Sequence, residues 1–310
     1  MSTTQLVLAT GITLMAPILW AALGELITEQ SGTLNVGIEG VMILGAFTTA
    51  LVYQRSGSPV LALLAAVGSG LLCAVMLGAL YIRRGTDQIV TGIVFSSAAV
   101  GIAAVLSEKL LSADSVQVSS LPTLSIPLLS KLPWVGPVLF EQNALVFAAL
   151  IAVPCVWYLM HRTWFGLHAR AAGERPLVPE TAGLSVRGIR YVGLALGCAL
   201  TAVGGATLVL SVAGTFQPGV TNGRGFIALA VVVLARWNPY RAVLGALIFG
   251  LAQALQFQAD SVPVLADVPT SILLMVPYVV AVVVVLLTHG SRYPGAAGAP
   301  YRPRAEQVGF

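Results

Sequence analysis

The chain is 310 residues long, with 57% hydrophobic residues, 9% charged residues and a mean hydropathy of +0.90, whereas about a quarter of the residues in a soluble domain are charged. This composition identifies an integral membrane protein and leaves no room for a sizeable soluble domain. The net charge of +4 and the pI near 9.1 come from basic residues scattered over short loops, without the dense, aromatic-interleaved runs of a nucleic-acid surface.

Apolar runs near the roughly 20 residues that span a hydrocarbon core recur from end to end. The first, 6–27, has no basic residue before it and no small-residue cleavage site, so it reads as a retained span and not a signal peptide. Runs at 36–53 and 59–82 follow, then 88–111, whose start Asp87, Gln88 and Thr91 are suited to cap. The stretch 112–142 is rich in Ser, Pro and Leu, and its prolines argue against one regular helix. After it come 143–160, the polar segment 161–190, and runs at 190–213, 225–236, 242–257 and 269–288. The run at 225–236 is short for a span and reads as a broken helix. Residues 291–310, rich in Gly, Pro and Arg, are expected to form a mobile tail. The expectation is an all-α polytopic fold of about nine transmembrane segments.

Two stretches nearly repeat. Ser31-Gly32-Thr33-Leu34-Asn35-Val36-Gly37-Ile38 returns as Ala213-Gly214-Thr215-Phe216-Gln217-Pro218-Gly219-Val220, and Ser58-Pro59-Val60 has its counterpart in Asn238-Pro239-Tyr240. Repeated halves made of glycine-interrupted apolar segments mark many transporter folds, whose substrate path lies between the halves. Basic residues accumulate on the cytoplasmic side. Alternate crossing with Arg83 and Arg84 inside also places Arg162, Arg170, Arg175, Arg187, Arg190, Arg236, Arg241, Arg292, Arg302 and Arg304 there, which is 12 of the 16 basic residues. The N-terminus is then outside. Four spans per half flank the single linking span 143–160, and an odd number of linking spans makes the repeats inverted. The domain reading is one transmembrane domain, 1–290, and a cytoplasmic tail, 291–310. Within the domain, 6–111 is the first repeat, 112–142 an external loop, 161–190 a cytoplasmic loop and 190–288 the second repeat.

Cys73, Cys155 and Cys198 sit in apolar runs without paired or metal-ligand spacing, and His161 and His168 read as solvated loop residues. No metal site or catalytic constellation is expected.

The loop run Gly166-Leu167, Arg170-Ala171, Gly173-Glu174 and Pro176, continuing to Glu180-Thr181-Ala182-Gly183, resembles the cytoplasmic coupling loop of permeases in the ATP-binding-cassette importer family for branched-chain amino acids, ribose and nucleosides. Leu34-Asn35-Val36-Gly37-Ile38-Glu39-Gly40, Gly223-Arg224-Gly225-Phe226-Ile227 and Trp237-Asn238-Pro239 are similar to the nucleoside, basic-membrane-protein branch. The likeness runs over about residues 20 to 290 and departs at Arg175 and at Val178-Pro179. It implies that Arg170, Ala171, Gly173, Glu174, Ala182 and Gly183 dock on an ATPase subunit. It further implies a pore of two permease chains, alike or paralogous, an external substrate-binding protein, and a bacterial inner-membrane location. The phosphate-cradling motif needs a lysine after a glycine, and the chain's lysines, Lys109 and Lys131, are not so placed. ATP is therefore expected on the partner, with no cofactor on this chain.

Polar residues at membrane depth usually line a pathway. Asn35, Glu39, Gln217, Asn222 and Arg224 occupy related places beside the glycine breaks, either as path contacts or as caps of broken helices. Nucleoside import is the favoured function. A branched-chain amino acid or sugar permease is the alternative in the same class. An ion-coupled secondary transporter is the rival in another class. Such a carrier has no ATPase to dock and is expected to carry paired intramembrane carboxylates.

Overall fold

The computed structural model describes residues 2–111, 121, 123–125, 136–259, 270–287 and 293–301. Each of the nine apolar runs coincides with a helix. The first half holds α1 (Thr3–Gln30), α2 (Ile38–Ser56), α3 (Pro59–Gly78) and α4 (Gln88–Leu110). A short α5 (Gly136–Leu139) precedes α6 (Ala144–Arg162), and the polar loop folds into α7 (Trp164–Glu174) and α8 (Leu177–Thr181). The second half is α9 (Val186–Thr207), α10 (Arg224–Ala235), α11 (Pro239–Phe257) and α12 (Thr270–Leu287). Helices α3 and α9 each run on through a π turn, at Ala79–Arg84 and Leu208–Ala213. Among the described residues six helices are long and apolar enough to cross a membrane: α1, α3 and α9 with their π turns, α4, α6 and α11. The chain is thus a mostly helical, multi-pass membrane protein. At about 1.5 Å per residue the 12-residue α10 reaches only about 18 Å, short of a roughly 30 Å core, in keeping with the broken helix expected there.

Local chemistry sets the ends of these helices. Ser58 accepts a hydrogen bond from the Leu61 N–H at the start of α3, and Asn238 accepts from the Tyr240 and Arg241 N–H groups at the start of α11. Each cap is followed by a proline at the first helical position, where no hydrogen bond is lost. Asp87 alone of the three expected residues caps α4, accepting from Ile89 and Val90 at 2.9 and 2.8 Å. Gln88 instead takes the Leu34 N–H at 2.7 Å, across to the loop between α1 and α2, and Thr91 bonds Thr86.

Helices α1 and α9 form the centre, each mostly enclosed, while most of α4 faces outward. α1 packs along α9 and α11; α9 packs along α1, α2 and α3. Without a hydrophobic drive between helices inside a bilayer, close van der Waals contact must hold them. Glycine permits it. A Cβ on Gly197 of α9 would come to 2.8 Å from the Gly24 carbonyl oxygen of α1 and would overlap the Thr28 hydroxyl.

Two expectations need correction. The fold is not wholly helical, because β1 (Thr123–Ser125) and β2 (Glu141–Asn143) pair antiparallel, Thr123 opposite Asn143 and Ser125 opposite Glu141. Three-residue strands carry too little alternation to be read from sequence, and most of the loop 112–142 lies outside the described residues. Nor is the tail free over 293–301. Its Ala296 N–H donates to the Gly173 carbonyl at 2.7 Å, Arg190 donates to the Ala299 and Ala296 carbonyls at 2.9 and 3.3 Å, and the Tyr293 ring meets Trp237 edge-on at 4.7 Å. A Gly-Pro-rich composition predicts lack of helix, which is not lack of contacts. Residues 302–310 lie outside the described residues.

Candidate functional site

The glycine breaks of the two halves meet inside the bundle. Glu39, in the first turn of α2, turns its carboxylate toward the start of α10: Oε1 accepts from the Thr221 hydroxyl at 2.6 Å and the Gly223 N–H at 2.9 Å, and Oε2 from the Gly225 N–H at 2.8 Å. An acid at a helix N-terminus satisfies donors that have no partner within the helix and meets the positive end of its dipole. One half thereby caps a broken helix of the other.

Arg224, 6% exposed, extends from the same turn. Its Nε donates to Gln253 Oε1 of α11 at 3.0 Å and its Nη1 to the Val220 carbonyl at 3.0 Å. A cavity of about 170 Å³ opens beside it, walled by Asn222, Arg224, Gln253, Gln256, Phe257 and Tyr278 among others. Of the five residues expected on the path, Asn222 and Arg224 reach this cavity and Glu39 sits behind them. Gln217 is exposed on the preceding loop. Asn35 stands apart: its N–H donates to Glu25 Oε1 at 2.8 Å and its side-chain amide to Cys198 Sγ at 3.6 Å.

Sequence reasoning missed Gln253, Gln256, Phe257 and Tyr278, which lie in ordinary apolar runs and become neighbours of the glycine break only through the packing of α10 on α11 and α12. It also missed Glu25 and Glu29. These acids, four residues apart on α1 and fully enclosed, form an intramembrane carboxylate pair of the kind expected of an ion-coupled carrier. Both are tied to the fold. Glu25 holds the Asn35 N–H, and Glu29 accepts from the Trp237 indole N–H. The spacing of the pair within the first span was the available signal.

At one end of the bundle the polar loop turns at Arg175 from α7 into α8. Thr163 caps α7 by accepting the Gly166 N–H at 3.2 Å. Ala172 and Gly173 are buried against the end of α1, and a Cβ on Gly173 would overlap the Gln30 carbonyl oxygen. Arg170 and Ala171 are half-buried, whereas Glu174, Ala182 and Gly183 are exposed. Gly173 thus packs inward and cannot itself enter a partner's groove. The outward face carries large apolar side chains instead: Trp164, Leu167, Leu177 and Val178, at 78%, 50%, 45% and 55% exposure.

Residues 7–286 match the family model described as the permease component of the branched-chain amino acid transport system. The chain belongs to this permease family. It is 31% identical, over 97% of its length and 98% of the relative's, to the nucleoside ABC transporter permease protein NupC of Lactococcus lactis subsp. cremoris. It is 33% identical to the guanosine ABC transporter permease protein NupQ of Bacillus subtilis, over 92% of this chain and 93% of that one. A putative glucose ABC transporter permease protein, TsgC13 of Haloferax volcanii, is 33% identical over 81% of this chain and 76% of its own. No solved structure matches the chain. Membership makes the permease a transport component and not an enzyme. The site holds hydrogen-bonding groups packed between helices.

Proposed function

We propose that the permease is the transmembrane subunit of an ATP-driven importer of nucleosides, working with a separate ATPase subunit, a second permease chain and an external substrate-binding protein in a bacterial cytoplasmic membrane. The observation that carries the reading is the joined glycine break: Glu39 of one half capping α10 of the other, next to a polar cavity. Alternating access needs two halves that rock against each other around one site, and this junction links them beside the polar cavity. Relatives named for nucleosides and guanosine, aligned nearly end to end, support the substrate class.

The helix pairing supports nine spans arranged as inverted repeats around α6. α1 lies on α11 as α9 lies on α3, and Ser58-Pro59 and Asn238-Pro239 open the equivalent helices α3 and α11. The coupling surface is α7 and α8, whose exposed Leu177 and Val178 suit a shallow groove on an ATPase. Gly173 and the strap 293–301 hold that surface against the end of α1. ATP is assigned to the partner and no cofactor to this chain. A sugar permease is the second reading, favoured by the likeness to the Haloferax protein.

The test is uptake of labelled nucleosides by cells that express the permease with its neighbouring subunits. Excess unlabelled nucleoside should block uptake, and excess leucine, ribose or glucose should not. Block by leucine or by a sugar, with none by nucleosides, refutes the nucleoside assignment.

A further inference from the structure

We propose that the cavity between α10, α11 and α12 reads the base of the transported nucleoside and selects 6-oxopurines, through donors on Arg224 and Gln253. The inference rests on the nucleoside reading and goes further, to which base and by which atoms.

Arg224 and Gln253 are both more than nine-tenths buried and both line the cavity. The bond from Arg224 Nε to Gln253 Oε1 fixes each side chain by the other, and the Val220 carbonyl takes Arg224 Nη1. Arg224 Nη2 and Gln253 Nε2 then have no protein partner among the described residues. Two oriented donors from adjacent helices thus border one small space. Both residues line the cavity, so a ligand that supplies acceptors there meets donors whose orientation is already set.

Charge narrows the ligand. Glu39 and Arg224 both bond to the turn that opens α10, so their opposite charges lie at one place; the site is close to neutral and favours a polar, uncharged ligand over an anion such as an amino-acid carboxylate. Shape and chemistry narrow it again. Phe257 and Tyr278 offer aromatic faces on which a flat base can stack. Guanine and hypoxanthine carry two acceptors, O6 and N7, side by side on one edge. Adenine places an N6 amino donor where O6 would be, and pyrimidines lack N7. A site built of donors rejects a ligand that presents another donor.

The experiment uses the complete transporter in cells and measures uptake of labelled inosine, guanosine and adenosine. Wild type should prefer inosine and guanosine. Gln253→Glu keeps an acceptor for Arg224 Nε and replaces the free donor with an acceptor, so the inosine-to-adenosine ratio should fall by about tenfold or more. Phe257→Ala, at an exposed position, should raise KM for every purine nucleoside. If Gln253→Glu changes all nucleosides in parallel or leaves the ratio unaltered, base reading at this cavity is overturned. If that variant does not reach the membrane, an unchanged KM in Phe257→Ala overturns it. Absence of nucleoside uptake by wild type overturns the importer reading itself.

Discussion

Removal of the Glu39 carboxylate measures how firmly the two halves are joined. Glu39→Ala leaves three donors without an acceptor: the Thr221 hydroxyl, the Gly225 N–H and the Gly223 N–H. The first two are buried, and an orphaned buried donor costs about 1–3 kcal/mol. The third is half-buried and can be rehydrated. The loss is therefore about 4 kcal/mol, most of it from the two enclosed groups. Glu39→Gln is milder. Its oxygen can still accept from Thr221 and Gly223, but its amide nitrogen then confronts the Gly225 N–H, so one buried donor is orphaned at about 2 kcal/mol. Denaturant titration of the purified permease, followed by tryptophan fluorescence, should rank wild type above Gln and Gln above Ala. Transport at matched surface expression then separates the two roles the sequence leaves open: Gln should retain uptake if Glu39 fastens the halves, and lose it if Glu39 touches substrate. Equal stability of all three proteins would refute the capping argument.

At the coupling end, Gly173→Ala should lower stability by about 1–3 kcal/mol through overpacking on Gln30; an unchanged denaturation midpoint would show that the contact gives way. Leu177→Asp with Val178→Asp should leave stability unchanged while uptake and substrate-stimulated ATP hydrolysis fall at least about tenfold, the loss of roughly 1.4 kcal/mol of docking energy; normal coupled hydrolysis would move the docking surface elsewhere. Cysteines at Glu141 and Ser185, both exposed, should react with an impermeant reagent from opposite sides in a background lacking Cys73, Cys155 and Cys198. Reaction from one side would refute the threading. Gly24→Leu should prevent α1 from seating on α9 and abolish the monodisperse folded protein in size-exclusion chromatography.

The helices were legible because a bilayer imposes length and apolarity on each span, a strong constraint spread over many residues. Caps such as Ser58 and Asn238 were equally readable, since their effect is confined to the next turn. The site was legible by halves. Asn222 and Arg224 stood out as polar residues beside glycines, but Gln253 and Tyr278 enter the cavity by tertiary packing of α11 and α12, which no local pattern encodes. Gly173 illustrates a different limit. A small residue in a loop permits close approach, yet sequence cannot say to what, and the neighbour is α1 of the same chain. Glu25 and Glu29 were passed over, although Glu25 lies inside the first apolar run, and their partners, the Asn35 N–H and the Trp237 indole, are reached only through the fold.

The central position of α9 bears on biogenesis. α1, α2 and α3 all close upon a helix that ends at Thr207, with its π turn to Ala213, whereas α3 and its own turn end at Arg84. At about 5–20 residues per second, a ribosome needs roughly 6–26 s to synthesise the intervening stretch of about 130 residues. Through that interval the first helices are inserted without their common partner, and Glu39 has no Gly225 N–H to meet. An insertase or neighbouring lipid headgroups must shelter those polar groups until the second half arrives. Slow or stalled translation between residues 84 and 213 should accordingly expose the unfinished half to membrane proteases, and expression yield should depend on synonymous codon speed there more than anywhere later in the chain.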